Sequence, residues 1–278
     1  MDAKGTVWVG ANGDFGSLVP EVNGTLRYLS LLEKILPEDS TFTAAYVTPT
    51  AQGVFFRSLT RLFLWDGRKL QVWRPNRGVQ GVSEGHGRIY MSELGVGLQE
   101  FVGGRWVPAP GGEALGEAVI VTMHPWDESH SLITTRSSLL WLYDGRSLQP
   151  FHTEADAYLK SNEAYTSIHL ADGGFCITTI LVGAVILEHD GRLRRILDKN
   201  SGLPGPGVYE AFEDSDGVLW LGQGASLSRV ELNTPITEVT RHFGSTLVRF
   251  QGGLYLGSSA GGPDCIVWYR RRVPGFRR

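Results

Sequence analysis

Asp214-Ser215-Asp216-Gly217-Val218-Leu219-Trp220-Leu221-Gly222 is the stretch on which the fold is read. A turn built from Asp and Gly runs straight into a short apolar segment with an aromatic residue near its middle, the pattern of a tight turn feeding a strand. The same pattern returns along the whole chain. Gly5 precedes Val7-Trp8, Gly53 precedes Phe55-Phe56, Gly87 precedes Ile89-Tyr90, and His130 precedes Leu132-Ile133 in a degenerate copy. Gly174 precedes Phe175-Cys176 and Gly253 precedes Leu254-Tyr255, so that successive markers lie 34 to 48 residues apart. A second marker runs out of phase with the first: Asn23-Gly24, Asp66-Gly67, Gly103-Gly104, Asp144-Gly145 and Asp190-Gly191. Such dipeptides favour the positive backbone angles of two-residue hairpin turns. Two hairpins per unit means four short strands in about 42 residues, the period of a β-propeller blade.

The expected fold is therefore all-β: a β-propeller of seven blades, each of four antiparallel strands, with incomplete first and last blades. The expected units of this single domain, 1–278, are approximately 1–40, 41–77, 78–115, 116–160, 161–204, 205–244 and 245–270, with a basic tail over 271–278. Asp2-Ala3-Lys4-Gly5 has the spacing of Asp214 to Gly217, so the first unit is expected to lack its first strand. The seventh is expected to stop near its third strand or early in its fourth. A fragment with open edges follows, to be covered by a longer chain or a partner. Two rival readings remain at this level. Residues 27–36 have Leu29, Leu32 and Leu36 on one helical face, so a short amphipathic helix competes with an outer strand and exit loop. A β-sandwich would supply the strands without needing a fixed period.

Composition narrows the function classes. The 36 glycines and 13 prolines among 278 residues argue against long helices, and aromatics at 10% suit many short strands. The 26 basic and 29 acidic residues leave a charge of -3, with no overall pull toward nucleic acid or an anionic membrane. Arg270, Arg271, Arg272, Arg277 and Arg278 are a local exception, read as a solvated end or a contact for something acidic. Neither an export signal nor a membrane-spanning apolar run is read in the chain. Cys176 and Cys265 are too far apart to suggest a metal knuckle or a disulfide framework, and both are expected to be buried thiols.

In the repeat frame the hairpin turns share one face, while the second-to-third-strand loops and the inter-blade loops surround the channel mouth on the other. The former hold Asn12 and Asp14, Arg57 and Ser58, Ser92 and Glu93, Thr135 and Arg136, Thr178 and Thr179, Gln223, and Ser258 and Ser259. The latter add Asp39, Arg77, Asn162, Glu163 and His242.

Ser201-Gly202-Leu203-Pro204, the apolar Val208-Tyr209, Glu213-Asp214 with Gly217, and Leu219-Trp220-Leu221-Gly222 together resemble the two-component regulator propeller repeat. Gly5-Thr6-Val7-Trp8-Val9-Gly10 repeats its second half, and Leu254-Tyr255-Leu256-Gly257-Ser258 does so with Tyr in place of Trp. The resemblance implies the sensor-domain propeller of a bacterial signal-transduction protein, outside the membrane in the family's usual arrangement, often reading oligosaccharides. The output domains of such proteins have no counterpart in this sequence.

Other motifs give structural readings. Glu213 to Gly217 begins like an EF-hand, but position 225 is Ala where the closing Glu belongs, so a turn is expected. His124-Pro125-Trp126-Asp127-Glu128-Ser129-His130 gathers two His and two carboxylates without a zinc spacing. Gly10 to Gly16 is read as a loop rather than a phosphate cradle, because no helix follows it. No Gly-x-Ser-x-Gly nucleophile elbow occurs. Trp8, Trp65, Trp141, Trp220 and Trp268 are expected to pack between blades, with sugar stacking as the alternative.

The functional expectation is a non-catalytic ligand-sensing propeller. Arg57, Arg136 and Gln223 are expected as donors and Glu93 as an acceptor, with Thr178 and Ser258 beside them, to a polar small molecule or oligosaccharide. No cofactor, metal or nucleic-acid partner is expected. Other signalling domains or a second propeller are the expected protein neighbours. A protein-interaction scaffold is the alternative. A propeller hydrolase or lyase would need two carboxylates facing each other at roughly 5–10 Å.

Overall fold

A computed structural model describes residues 1–43, 45–137 and 140–232, together with the backbone of strands at 246–250, 253–257 and 267–269. The chain divides into two compact units, Met1–Val230 and Glu231–Arg278.

The first unit is a run of six antiparallel sheets in chain order. Blade 1 has three strands, β1 (Val7–Ala11), β2 (Asp14–Pro20) and β3 (Leu26–Ser30). Blade 2 has β4 (Tyr46–Thr50), β5 (Gly53–Arg57), β6 (Leu62–Trp65) and β7 (Leu70–Trp73). Blade 3 is β8 (Val79–Gly85), β9 (Arg88–Glu93), β10 (Gly97–Val102) and β11 (Arg105–Pro108). Blade 4 is β12 (Ile120–Pro125), β13 (Ser131–Thr135), β14 (Leu140–Tyr143) and β15 (Leu148–Phe151). After helix α1 (Asp156–Asn162), blade 5 is β16 (Ala164–His169), β17 (Phe175–Thr179), β18 (Ala184–Leu187) and β19 (Leu193–Leu197). Blade 6 has β20 (Glu210–Glu213), β21 (Val218–Gly222) and β22 (Leu227–Glu231). The second unit holds one three-stranded antiparallel sheet of β23 (Thr246–Phe250), β24 (Gly253–Gly257) and β25 (Val267–Tyr269).

Among the described residues of the first unit the propeller thus has six blades, which corrects the count of seven. The seventh turn signal, Gly253 before Leu254-Tyr255, does mark a hairpin between β23 and β24. A turn periodicity counts hairpins, and this hairpin belongs to the second compact unit. Residues 27–36 follow the strand reading rather than the helical one. Leu26 to Ser30 pairs with Pro20 to Gly16, and two short 3-10 turns, Leu32–Lys34 and Pro37–Asp39, take the chain to blade 2.

The blades are held together by apolar side chains from both faces of each sheet. Consecutive residues of a strand point to opposite faces. Phe55 accordingly packs toward blade 3 with Ile89, Met91 and Phe101, while Phe56 packs toward blade 1 with Phe15 and Phe63. Both rings are fully buried, and Phe56 stacks on Phe15 at 4.4 Å. Because both faces are covered, Val54-Phe55-Phe56 of β5 and Phe175-Cys176-Ile177 of β17 read as unbroken apolar runs rather than alternating ones. Trp8, Trp65 and Trp141 are partly buried against these clusters.

Two turns explain the sequence signature with which the fold was read. Asp214 Oδ1 accepts the backbone N–H groups of Asp216 and Val218, and its Oδ2 accepts the Trp220 indole N–H at 2.7 Å. Asp2 does the same for Lys4, Thr6 and Trp8. The indole bond comes first among the causes that hold both carboxyls below the usual range. Gly217, at φ 73°, turns the chain back for the strand. The carboxylate that resembled a calcium ligand is thus occupied in closing a hairpin.

The connection from blade 1 to blade 2 is pinned to blade 2 by a buried charge. Asp39, 1% exposed, accepts Arg61 Nε at 2.8 Å, Arg74 Nε at 2.8 Å and Arg74 Nη2 at 2.6 Å. Burial pushes its carboxyl up, but the bonds from Arg74 and Arg61 outweigh that and hold it below the usual value.

Candidate functional site

The innermost strands β8, β12, β16 and β20 lie side by side, with β4 next to β8 and β1 next to β4. Each inner strand begins at the end where its neighbour in the same blade finishes, so first residues and last residues meet at one mouth. A cavity of about 490 Å³ opens there, lined from blades 2 to 6. The hairpin turns are at the opposite end.

Tyr46 opens β4 and Arg57 closes β5, and the register sets them opposite each other. The Arg57 guanidinium lies 4.3 Å from the centre of the Tyr46 ring, and its Nη1 donates to the Val79 carbonyl of the next inner strand at 3.1 Å. Arg136 follows β13, and its own backbone N–H is tied to the Val119 carbonyl. Its guanidinium stands 5.9 Å from the Tyr165 ring, which in turn meets Tyr209 edge-on at 5.4 Å. Both contacts have cation–π geometry. Gln80, Thr43, Thr166, Arg77 and Glu210 complete the polar part of the wall, and Val121 and Leu94 contribute apolar surface.

Crowding at the mouth alters the acid–base character of its groups. Burial lowers the Arg57 pKa, opposed by the Tyr46 and Tyr165 hydroxyls. Burial first, then the neighbouring Tyr46, raises the Tyr165 phenol. Burial also raises the Glu210 carboxyl, partly offset by the Ala211 backbone N–H. Glu210 is the one carboxylate among the described lining residues.

The structure brings together two of the residues expected as ligand contacts, Arg57 and Arg136, and with them Arg77 of the expected inter-blade loops. Glu93 works inside its own blade. Its Oε1 accepts the N–H groups of Asn76 and Arg77 and its Oε2 accepts Gln99 Nε2, fixing the loop that carries Arg77. Thr178 is fully buried and exchanges hydrogen bonds with the Thr166 backbone. Gln223 donates to the Gly205 carbonyl and accepts from Ser228, stapling its own loop. Ser258 lies outside the described residues, as do His242 and Cys265. Cys176 is fully buried, and burial pushes its thiol up to about 12.

Sequence reasoning missed Tyr46, Tyr165 and Tyr209. A signal was present, since each stands seven to nine residues ahead of a turn glycine, at Gly53, Gly174 and Gly217, at the start of an inner strand. The paired histidines found structural partners. His124 Nε2 engages the Ser167 carbonyl, and His130 Nδ1 engages Asp127 within the turn joining β12 to β13. A second hollow of about 270 Å³ lies at the turn end between blades 3 and 4. Its Arg88 is paired with Glu100 at 3.6 Å.

No protein family model matches the chain, and no curated protein matches it. Solved structures do, at low identity. The WD40 β-propeller domain of Doa1 superposes with a TM-score of 0.62 at 14% identity, over 81% of this chain and 74% of that one. The extracellular domain assigned to the hybrid two component system BT3049 of B. thetaiotaomicron gives 0.60 at 15% identity, over 93% of this chain and 38% of that one. The extracellular domain assigned to the one component system BT4673 of the same organism gives 0.59 at 16% identity, over 99% and 46%. The chain spans less than half the length of these two domains. Identities this low establish the propeller fold alone.

Proposed function

We propose that the protein is a non-catalytic binding propeller of the sensor type, taking a polar ligand such as an oligosaccharide in the pocket at the mouth of the inner strands. One observation carries this reading: two guanidinium groups and three tyrosine rings, drawn from blades 2, 4, 5 and 6, converge on one cavity. Tyrosine faces and edges give sugars and other flat rings a surface on which to lie, and the arginines and Gln80 supply fixed hydrogen-bond donors at its border. The likeness to extracellular sensor domains of B. thetaiotaomicron supports the same reading at the level of fold.

A thermal-shift screen over an oligosaccharide library tests it, with hits followed by calorimetry. A stabilising hit whose binding disappears in the double variant Arg57→Ala and Arg136→Ala is the expected result. No hit in the library, with the double variant as stable as the parent protein, would sink the reading. A protein-interaction scaffold is the second reading, favoured by Leu26, Tyr28 and Leu29, exposed together on outer strand β3. A hydrolase would need a second carboxylate facing Glu210.

A further inference from the structure

The charge balance of the pocket is uneven. Arg57, Arg77 and Arg136 line it against the single carboxylate Glu210 among the described residues. Arg57 is the informative member. It is half-buried, and the groups that engage its guanidinium are the Val79 carbonyl and the faces or hydroxyls of Tyr46 and Tyr165, all of them neutral. A cation withdrawn from water is unfavourable unless a counter-charge meets it.

Elsewhere this chain provides such counter-charges. Arg61 and Arg74 meet Asp39, Arg194 meets Asp172 at 2.5 Å, and Arg88 meets Glu100. Arg57 has no such ion pair among the described residues, and it faces a cavity. Tyr165 neighbours both arginines: the Arg136 guanidinium stands 5.9 Å from its ring, and its hydroxyl bears on the Arg57 charge.

We infer that the pocket selects an acidic saccharide, whose carboxylate or sulfate group lies between Arg57 and Arg136 while a sugar ring rests against Tyr165. This rests on the binding function proposed above. The planar fork of a guanidinium matches a carboxylate or sulfate edge with two parallel hydrogen bonds. The cavity, about 490 Å³, falls in the range of roughly 300–1,000 Å³ typical of small-molecule sites.

The experiment uses calorimetry on matched pairs of probes: oligogalacturonates, alginate oligosaccharides and chondroitin-type oligosaccharides, each beside its carboxyl-reduced or desulfated form. The expected result is that at least one acidic member binds, and that removing its acid groups weakens binding at least tenfold. Arg136→Gln should remove the same factor from the acidic member and cost its neutral partner much less, since glutamine still donates a hydrogen bond but carries no charge, with the thermal unfolding of the variant checked against the parent. Tyr165→Ala should weaken both members of the pair. Neutral members binding as tightly as acidic ones, and losing affinity in Tyr165→Ala, would overturn the acid preference and leave the binding function standing. Preference for small aromatic carboxylates over every saccharide would overturn the sugar assignment. No binding by any probe at millimolar concentration would overturn both.

Discussion

Asp39→Ala should loosen the connection between blades 1 and 2 where it is pinned to blade 2. The carboxylate is 1% exposed and accepts three charge-assisted bonds, at 2.8, 2.8 and 2.6 Å. Removing one partner of a buried ion pair typically costs about 3–5 kcal/mol, because the remaining charge is left without compensation. Arg61 is 23% exposed and stays so, whereas Arg74 is 50% exposed and re-enters water. The lower end of the range, about 3 kcal/mol, is therefore expected. Asp39→Asn keeps one acceptor oxygen and should cost roughly half as much.

Urea unfolding followed by tryptophan fluorescence measures this difference, and an unchanged slope with denaturant shows that it reflects stability. A double-mutant cycle with Arg61→Met should give a coupling above about 1 kcal/mol, since the two groups touch. The acid limb adds a sign test. The folded carboxyl sits below its ordinary value, so its stabilisation is present above the ordinary pKa and is lost as pH falls through the lower folded one. Asp39→Asn should flatten that limb. A loss under about 1 kcal/mol, or simple additivity with Arg61→Met, would refute the clamp.

Phe56→Ala should cost about 3–5 kcal/mol, because the ring is fully buried and stacked on Phe15 across a blade junction; a thermal melt within a degree or two of the parent would contradict this. Glu163→Gly should stabilise by about 0.5–1 kcal/mol despite the flexibility that glycine adds, since Glu163 holds φ 53° and ψ 110° where only glycine is at ease; destabilisation by more than about 1 kcal/mol would mean that the side chain is structural. Binding of an acidic ligand should tighten as pH falls through the raised Glu210 pKa, because burial raises this carboxyl and its protonation removes the only negative charge among the described lining residues. Glu210→Gln should tighten binding at pH 7.5 and abolish the pH dependence. A pH response that survives in Glu210→Gln would assign it to the ligand instead.

The turns were legible in the sequence because their chemistry is local. Asp214 and Gly217 carry their own instructions, and the carboxylate that caps the turn also holds the indole six residues later. The aromatic and apolar pairs at the starts of the second strands were legible for a related reason, since a sheet covered on both faces needs no polar alternation. The number of blades was not. Gly253 announces a hairpin as clearly as Gly217 does, and nothing local says to which compact unit that hairpin belongs. The pocket was half legible. Arg57 and Arg136 could be placed at strand ends by counting from the turns. Counting does not tell whether a polar side chain at a strand end looks into the channel or folds back on its own loop. Glu93, Thr178 and Gln223 fold back, because the N–H groups of Asn76 and Arg77, the Thr166 backbone and the Gly205 carbonyl needed partners there.

Phe55 and Phe56 leave one strand in opposite directions, so the second blade is glued to both of its neighbours by adjacent residues. Energetically the six-bladed unit is then close to a one-dimensional chain of nearest-neighbour couplings. A lesion in blades 2 to 5 weakens two junctions at once, while one in blade 1 or 6 weakens a single junction within the unit. Unfolding is expected to advance as a front from a terminal blade. Trp8 and Trp220, each held by an aspartate in the first and last blades, sit where two such fronts would start, and their emission can report which end yields first.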